Sequence, residues 1–153
     1  MSDTPKKQYV DTDRTLLNAE HVKRYRETNG TVGYIWNGVP TLLLTTTGNK
    51  SGQPRTTPLI YAADNDCYVV VASKGGSPAD PNWYRNICKT PEVLIQVKDR
   101  VMHATAVTVE GRERDRLWTL VTDQWPNYDL YAARTARVIP VVRLAPHTSR
   151  AVD

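Results

Sequence analysis

Leucine-rich and β-branched stretches fill the middle of this chain, and helical spacing enters only before, between and after them. Thr41 to Thr46 is leucine followed by threonine, which suits a buried strand. A short turn carrying Gly48 and Gly52 follows, and a second arm runs on to Tyr61. Cys67 to Ser73 (CYVVVAS) is again strongly β. Glu92 to Lys98 (EVLIQVK) and Val101 to Glu110 (VMHATAVTVE) alternate by two about Asp99-Arg100, which predicts an antiparallel hairpin. Arg137 to Leu144 (RVIPVVRL) is expected to be the closing strand, with Pro140 marking an edge or a bulge.

The helical segments are shorter and weaker. Asp13 to Thr28 reads as a helix stopped by Asn29-Gly30, after a loose polar tail to Val10. Thr31 to Val39 is a glycine-punctuated lead-in carrying Tyr34 and Trp36. Asn82 to Ile87 is a short helix broken by Thr90-Pro91. Gly111 to Gln124 has an apolar side at Leu117, Trp118, Leu120 and Val121, and Trp125-Pro126 ends it. Tyr128 to Arg134 is a further helix whose Tyr128 and Tyr131, at i and i+3, share a face. About six mostly antiparallel strands with peripheral helices make a mainly β (α+β) chain, a small barrel or sandwich rather than a doubly wound sheet. At 153 residues one domain is expected. It divides into an N-terminal tail and helix (1–30), the β domain (31–146) and a C-terminal tail (147–153).

Composition narrows the function classes. The 20 basic residues are scattered among 16 acidic ones, without the dense stripe of a nucleic-acid binder. A net charge of +4 suits an anionic ligand or simple solubility. Cys67 and Cys88 suggest neither a disulfide framework nor a metal site, so a reduced, cytoplasmic setting is expected. No signal peptide or membrane-spanning run is read. Lys23, Arg24 and Arg26 leave two readings of the first helix: packing on the domain edge, or peripheral association with the inner face of the cell membrane.

Candidate chemistry gathers at the turn between the first two strands. Two glycines let the backbone fold sharply and present its N–H groups, Ser51 adds a hydroxyl, and Lys50 and Arg55 add two cations. Such a set can hold a phosphate; it is equally an ordinary polar hairpin turn. Lys74-Gly75-Gly76 forms a second corner of the same kind. Trp83, Tyr84, Tyr128 and Tyr131 taken singly are packing residues, and His103 is a strand histidine without a partner in sequence.

Four stretches in order, LLLTTTGNKSGQPR (42–55), PLIYAADNDCYVVVASKGG (58–76), DPNWYRNICKTPEVLIQVK (80–98) and WPNYDLYAARTARVIPVV (125–142), resemble the deazaflavin-dependent nitroreductase family of actinobacteria. That resemblance implies a split β-barrel over 31–146. It also implies the cofactor coenzyme F-420, an 8-hydroxy-5-deazaflavin with a phosphate and a polyglutamate tail, and a small-molecule hydride acceptor: a quinone, an activated enone or a nitro compound. The roles it implies run along the motifs. Asn49, Lys50 and Ser51 match the turn that holds the phosphate, and Arg55, Thr56, Thr57 and Pro58 the strand start lining the cofactor groove. Val71, Ala72, Ser73 and Lys74 match the strand end beneath the deazaflavin ring, and Asn82, Trp83, Tyr84, Arg85 and Asn86 the helix closing over it. Ile60, Trp125, Tyr128 and Tyr131 fall in the substrate pocket, where Ser73 or Tyr128 is the candidate to bond or protonate the acceptor. Ile60 and Trp125 stand where the family's prototype has tyrosines, which argues against nitroimidazole reduction. The alternatives are a deazaflavin-storage protein without turnover, and a related split barrel using FMN.

Overall fold

The computed structural model describes residues 19–147. They form α1 (Ala19–Thr28), β1 (Ile35–Trp36), β2 (Val39–Thr47), β3 (Pro54–Ile60), β4 (Ala62–Asp64) and β5 (Cys67–Val71). After a 3-10 turn at Lys74–Gly76 come α2 (Asn82–Lys89), β6 (Glu92–Val97), β7 (Arg100–Thr108), α3 (Gly111–Gln124), α4 (Asn127–Ala133) and β8 (Val141–Pro146). Every strand pairing is antiparallel, and the hydrogen-bonded path runs β3-β2-β6-β7-β8-β5-β4, with β1 on the start of β2. The two ends of that path, β3 and β4, are one stretch of chain joined at Tyr61. A single kinked arm therefore curls the sheet into a split barrel.

Period-two alternation distributes the side chains over two cores. Leu42, Leu44, Val70, Ala72, Ile95 and Leu144 fill the barrel interior. Val69, Val71 and Val141 point the other way and are covered by Leu117, Val121 and Trp125 at the α3–α4 corner. Burial on both faces is why CYVVVAS and LLLTTT read as unbroken β runs rather than alternating ones. Each fully buried Val, Leu or Ile among them contributes about 1.5–3 kcal/mol of transfer free energy.

The strand count differs from the expected six because Tyr61 divides the second arm into β3 and β4, and because the lead-in contains the two-residue β1. The closing strand begins at Val141, not Arg137. Pro140 precedes it and offers only its carbonyl, which accepts from the Ala72 N–H at 2.9 Å. Before it, the Arg137 side chain reaches across to the loop after β5, as described below. The part of the first helix before residue 19, the expected N-terminal tail to Val10 and the C-terminal tail beyond residue 147 lie outside the described residues; His147, expected to open that tail, instead donates its N–H to the His103 carbonyl at 2.9 Å. Within α1, Tyr25 is fully buried; its hydroxyl donates to the Thr41 carbonyl (3.0 Å) and accepts from the Lys98 N–H (2.8 Å). Burial pushes this phenol up to about 12.

Arg116 on α3 grips Asp64 on β4 with two parallel bonds, 2.9 and 2.8 Å, and also bonds Glu113. The guanidinium holds the Asp64 carboxyl below the usual carboxylate range, so the folded state binds its proton less readily than the unfolded chain. The resulting stability is present above the unfolded pKa and is lost as pH falls through the depressed folded value. Asp64→Asn should cost about 1 kcal/mol at neutral pH. That difference should close on acidification, as read from urea midpoints at both pH values.

Candidate active site

A cavity of about 420 Å³ opens where the end of β3, the loop after β5, the start of α2 and the α3–α4 corner meet. Thr57, Pro58, Leu59 and Ile60 form one wall, and Val71, Ser73, Lys74 and Gly75 a second. Pro81 and Trp83 close it from α2, and Trp36, Trp125, Tyr128 and Tyr131 supply the aromatic side. Trp36 packs on Trp125 with centroids 5.5 Å apart, and Tyr128 meets Tyr131 edge-on at 6.1 Å. The edge-on arrangement is the favoured one for aromatic pairs.

The aromatic side is seated by the backbone. Gly76 has φ +82°, and a Cβ there would lie 2.6 Å from the Tyr131 carbonyl oxygen and 2.9 Å from Arg134 Cβ. The 3-10 turn thus sits directly against α4. Behind it, the Arg137 side chain donates to the carbonyls of Ala72 (3.2 Å), Ser73 (2.8 Å) and Ser77 (2.8 Å) and to the Asp80 carboxylate (3.0 Å).

Two largely buried side chains of the cavity wall carry hydroxyls that are unbonded among the described residues. Ser73 is 8% and Tyr128 5% exposed, and neither side-chain oxygen bonds any described residue. Both hydroxyls are therefore available to a hydrogen-bonding partner in the cavity. Burial drives the Tyr128 phenol far above its ordinary range, with the Tyr131 ring adding to the effect. It is therefore protonated, and a hydrogen-bond donor, throughout the physiological range.

The basic turn lies at the other end of β3. Gly48 N–H donates to Gln53 O (2.8 Å), Gly52 N–H to Gly48 O (2.9 Å), and Gly52 takes φ +70°. Asn86 on α2 braces it: its side-chain oxygen accepts from Asn49 N–H and its side-chain nitrogen donates to Thr46 Oγ1, each at 2.9 Å. Lys89 Nζ donates to the Asn49 carbonyl at 2.9 Å, a third cation at this corner. Lys50 and Arg55 are exposed and make no ion pair among the described residues. Between turn and cavity runs the free edge of β3. Gln53 and Tyr61 bond back towards β2, at Gly48 and Pro40, so alternation turns the even positions outward. Pro54 and Pro58 sit at such positions, where no N–H is needed for the ladder.

The cavity gathers Thr57, Pro58, Ile60, Val71, Ser73, Lys74, Trp83, Trp125, Tyr128 and Tyr131 from the sequence expectation. Asn49, Lys50, Ser51, Arg55 and Thr56 lie outside it, on the turn and the start of β3, where Thr56 Oγ1 bonds Arg26 and Thr45. Alternation along β5 sends Ala72 into the barrel. Of the consecutive run Asn82 to Asn86, helical rotation lets Trp83 alone reach the cavity. Asn82 and Arg85 are exposed, Tyr84 bonds Thr108 on β7 (3.0 Å), and Asn86 holds the turn. Trp36, Leu59, Gly75 and Pro81 were not among the expected residues. Trp36 was legible only as an aromatic in a lead-in, because a two-residue strand leaves no periodic signal.

Residues 17–146 match the family model described as F-420H(2)-dependent quinone reductase. The chain belongs to this family. A quinone reductase of that name from Mycobacterium tuberculosis is 48% identical over 128 residues, covering 81% of this chain and 86% of the relative. Among solved structures, an F-420-H2 dependent reductase (FDR-A) superposes with a TM-score of 0.64 at 43% identity, over 69% of this chain and 93% of that one. A second, described as a domain-swapped dimer, gives 0.66 at 39% identity, over 82% and 94%. The split-barrel fold, the oxidoreductase class and the cofactor coenzyme F-420 expected of the sequence are those of the F-420H(2)-dependent quinone reductases. Among the described residues there is no cluster of metal-ligating side chains and no helix long and apolar enough to cross a membrane.

Proposed function

We propose that the cavity is where a quinone accepts hydride from reduced coenzyme F-420, and that the free edge of β3 and the basic turn hold the rest of the cofactor. The observation carrying this reading is the continuity of β3, from Arg55, an exposed cation without an ion pair among the described residues, to Thr57–Ile60 in the cavity wall. Strand rise puts about 7 Å between Arg55 and Thr57, a short span for a ligand with a flat head and an anionic end. The donor set fits such a ligand: cations and backbone N–H groups at one end, aromatic rings and unbonded hydroxyls at the other. Lys50, Arg55 and Ser51 are assigned to the phosphate, with Asn49 and Asn86 shaping the turn. Thr56, Thr57, Pro58, Val71 and Lys74 are assigned to the groove, and Trp83, in the cavity wall, would contact the ring of the bound cofactor. Ala72, Asn82, Tyr84 and Arg85 are given supporting places in the same elements.

The reduced deazaflavin supplies the hydride. Ile60, Trp125 and Tyr131 exclude water and press a flat acceptor into register. Tyr128 and Ser73 donate hydrogen bonds to the acceptor oxygen on which charge grows, the type of interaction that lowers a barrier most. Solvent at the cavity mouth completes protonation. A quinone is favoured over a nitroimidazole as acceptor because Ile60 and Trp125, both in the cavity wall, stand where the prototype that the sequence resembles has tyrosines.

Mixing the protein with reduced coenzyme F-420 and menadione should return the absorbance of the oxidised cofactor. Tight binding with no reoxidation by any of a panel of quinones, enones and nitro compounds would make this a storage protein, and preference for FMN would overturn the cofactor assignment. Tyr128→Phe should lower turnover about ten- to a hundredfold with the fold intact, since its hydroxyl bonds no described residue. Wild-type kcat and KM in that variant would remove Tyr128 from the mechanism.

The cytoplasmic setting expected from two free cysteines belongs to the same proposal, with peripheral membrane contact as its finer part. Arg24 pairs with Glu20 and Arg26 with Thr56, while His21 and Tyr25 turn inward. Contact through the described part of α1 would thus be electrostatic. Co-sedimentation with anionic vesicles should be abolished by high salt; retention in high salt would point to apolar insertion.

A further inference from the structure

We propose that Tyr61 is a positioning residue for the acceptor end of the cavity, and that its hydroxyl–hydroxyl bond with Tyr34 sets where Trp36 stands relative to Ile60 and Trp125. These three cavity side chains come from separate segments: β1, the end of β3 and the residue after α3. Each segment is tied to Tyr61. Ile60 is its chain neighbour. Its carbonyl accepts from Gln124 Nε2 at 2.6 Å, immediately before Trp125. Its hydroxyl shares a 2.7 Å bond with the Tyr34 hydroxyl, just ahead of Trp36. Its N–H donates to the Pro40 carbonyl at 3.1 Å, which fixes the residue to β2. Every polar group of Tyr61 is thus bonded to an element that carries or supports the cavity wall.

The clasp lies behind the wall that it seats. Tyr61 belongs to the barrel interior, Tyr34 packs against that core, and neither lines the cavity. Trp36 and Trp125 belong to the second core, and Ile60 packs against it. Alternation puts Ile60 and Tyr61 on opposite faces, so one residue can line the site while the next anchors it. Tyr68 meets the Tyr61 ring edge-on at 5.2 Å, and packing therefore aims the hydroxyl. Burial, followed by the Tyr34 bond, pushes the Tyr61 phenol far above its ordinary range, so it keeps its proton at neutral pH. Lys98 Nζ sits 4.6 Å over the Tyr34 ring. The segment that gains most is β1. It has two residues, Trp36 opposes Val39, and Asn37 (φ 48°) and Gly38 (φ 83°) turn it back. So short a hairpin holds little by itself. Ile35, beside Trp36, is exposed. Thr41 holds the Tyr34 carbonyl through its N–H and its hydroxyl, and Tyr61 holds the Tyr34 side chain.

The kinetic consequence rests on the reading of the cavity as the acceptor site; the seating of Trp36 does not. Tyr61→Phe keeps the ring and removes the bond, and Tyr34→Phe removes it from the half-buried end. In nitrogen–proton NMR spectra of the ligand-free protein, the indole N–H signals of Trp36 and Trp125 should shift in both variants, because rings 5.5 Å apart report each other's placement. The Trp118 signal should stay. At saturating reduced coenzyme F-420, KM for menadione should rise about three- to tenfold, the range one hydrogen bond sets, with KM for the cofactor unchanged. KM for 1,4-benzoquinone, whose single ring touches less of the wall, should rise less. The double Phe variant should behave like either single one, since both lose the same bond. Unshifted Trp36 and Trp125 signals in both variants would overturn the proposal. Equal rises in KM for the two quinones would mean general loosening and would overturn it too. No reduction of either quinone by the native protein, with the indole signals still shifted in the variants, sinks the proposed function and leaves the seating of Trp36 by Tyr61 intact.

Discussion

Gly76→Ala is expected to destabilise the protein by about 2–5 kcal/mol, combining left-handed strain with overpacking against backbone. The glycine holds φ +82°, and its would-be Cβ meets the Tyr131 carbonyl and Arg134 Cβ at distances that require α4 to move. Tyr131 and Tyr128 move with α4, so acceptor KM should rise as well. Gly38 supplies the control: its φ is +83°, but a Cβ there meets nothing within 4 Å. Gly38→Ala should therefore cost only the strain, about 1–2 kcal/mol. Urea denaturation of both variants separates the terms, and equal losses would show that α4 is not seated by this contact.

The second large effect is on affinity. Removing both cations of the turn, Lys50→Ala with Arg55→Ala, should raise the dissociation constant for coenzyme F-420 roughly a hundredfold at low salt, since charge-assisted bonds are worth about 1.5–3 kcal/mol each. Both side chains are exposed and without ion pairs among the described residues, so the fold should not suffer. Turnover at saturating cofactor should stay near wild type, because neither residue lines the cavity. Stopped-flow reoxidation against cofactor concentration reads both quantities, and a fall in saturated turnover with unchanged affinity would reverse the assignment.

Much of this was legible in the sequence because strands buried on both faces leave long β-branched runs, as Cys67 to Val71 does. Helix α3 was read to the residue, since Gly111 opens it and Trp125-Pro126 ends it. Legibility failed where a side chain, not a period, decides the backbone. Arg137 gives its side chain to four protein acceptors in the loop after β5, and β8 begins only at Val141, although RVIPVVRL looks like one strand. The site was legible as motifs but not as directions. A run such as Asn82 to Asn86 cannot all face one cavity, and only the folded helix shows that Trp83 faces it while Asn86 braces the turn. Trp36 and Lys89 were missed because each joins the site through tertiary packing alone.

The central claim is that one ligand spans the distance from the basic turn to the aromatic cavity. It is tested most directly by comparing the dissociation constants of intact coenzyme F-420 and of the same deazaflavin without its phosphate and glutamate tail, on the native protein and on the Lys50, Arg55 double-alanine variant. Loss of affinity for the intact cofactor alone, with the bare deazaflavin bound equally by both proteins, is the result expected. Equal losses for the two ligands, or none for either, would mean that the turn and the cavity do not share a ligand.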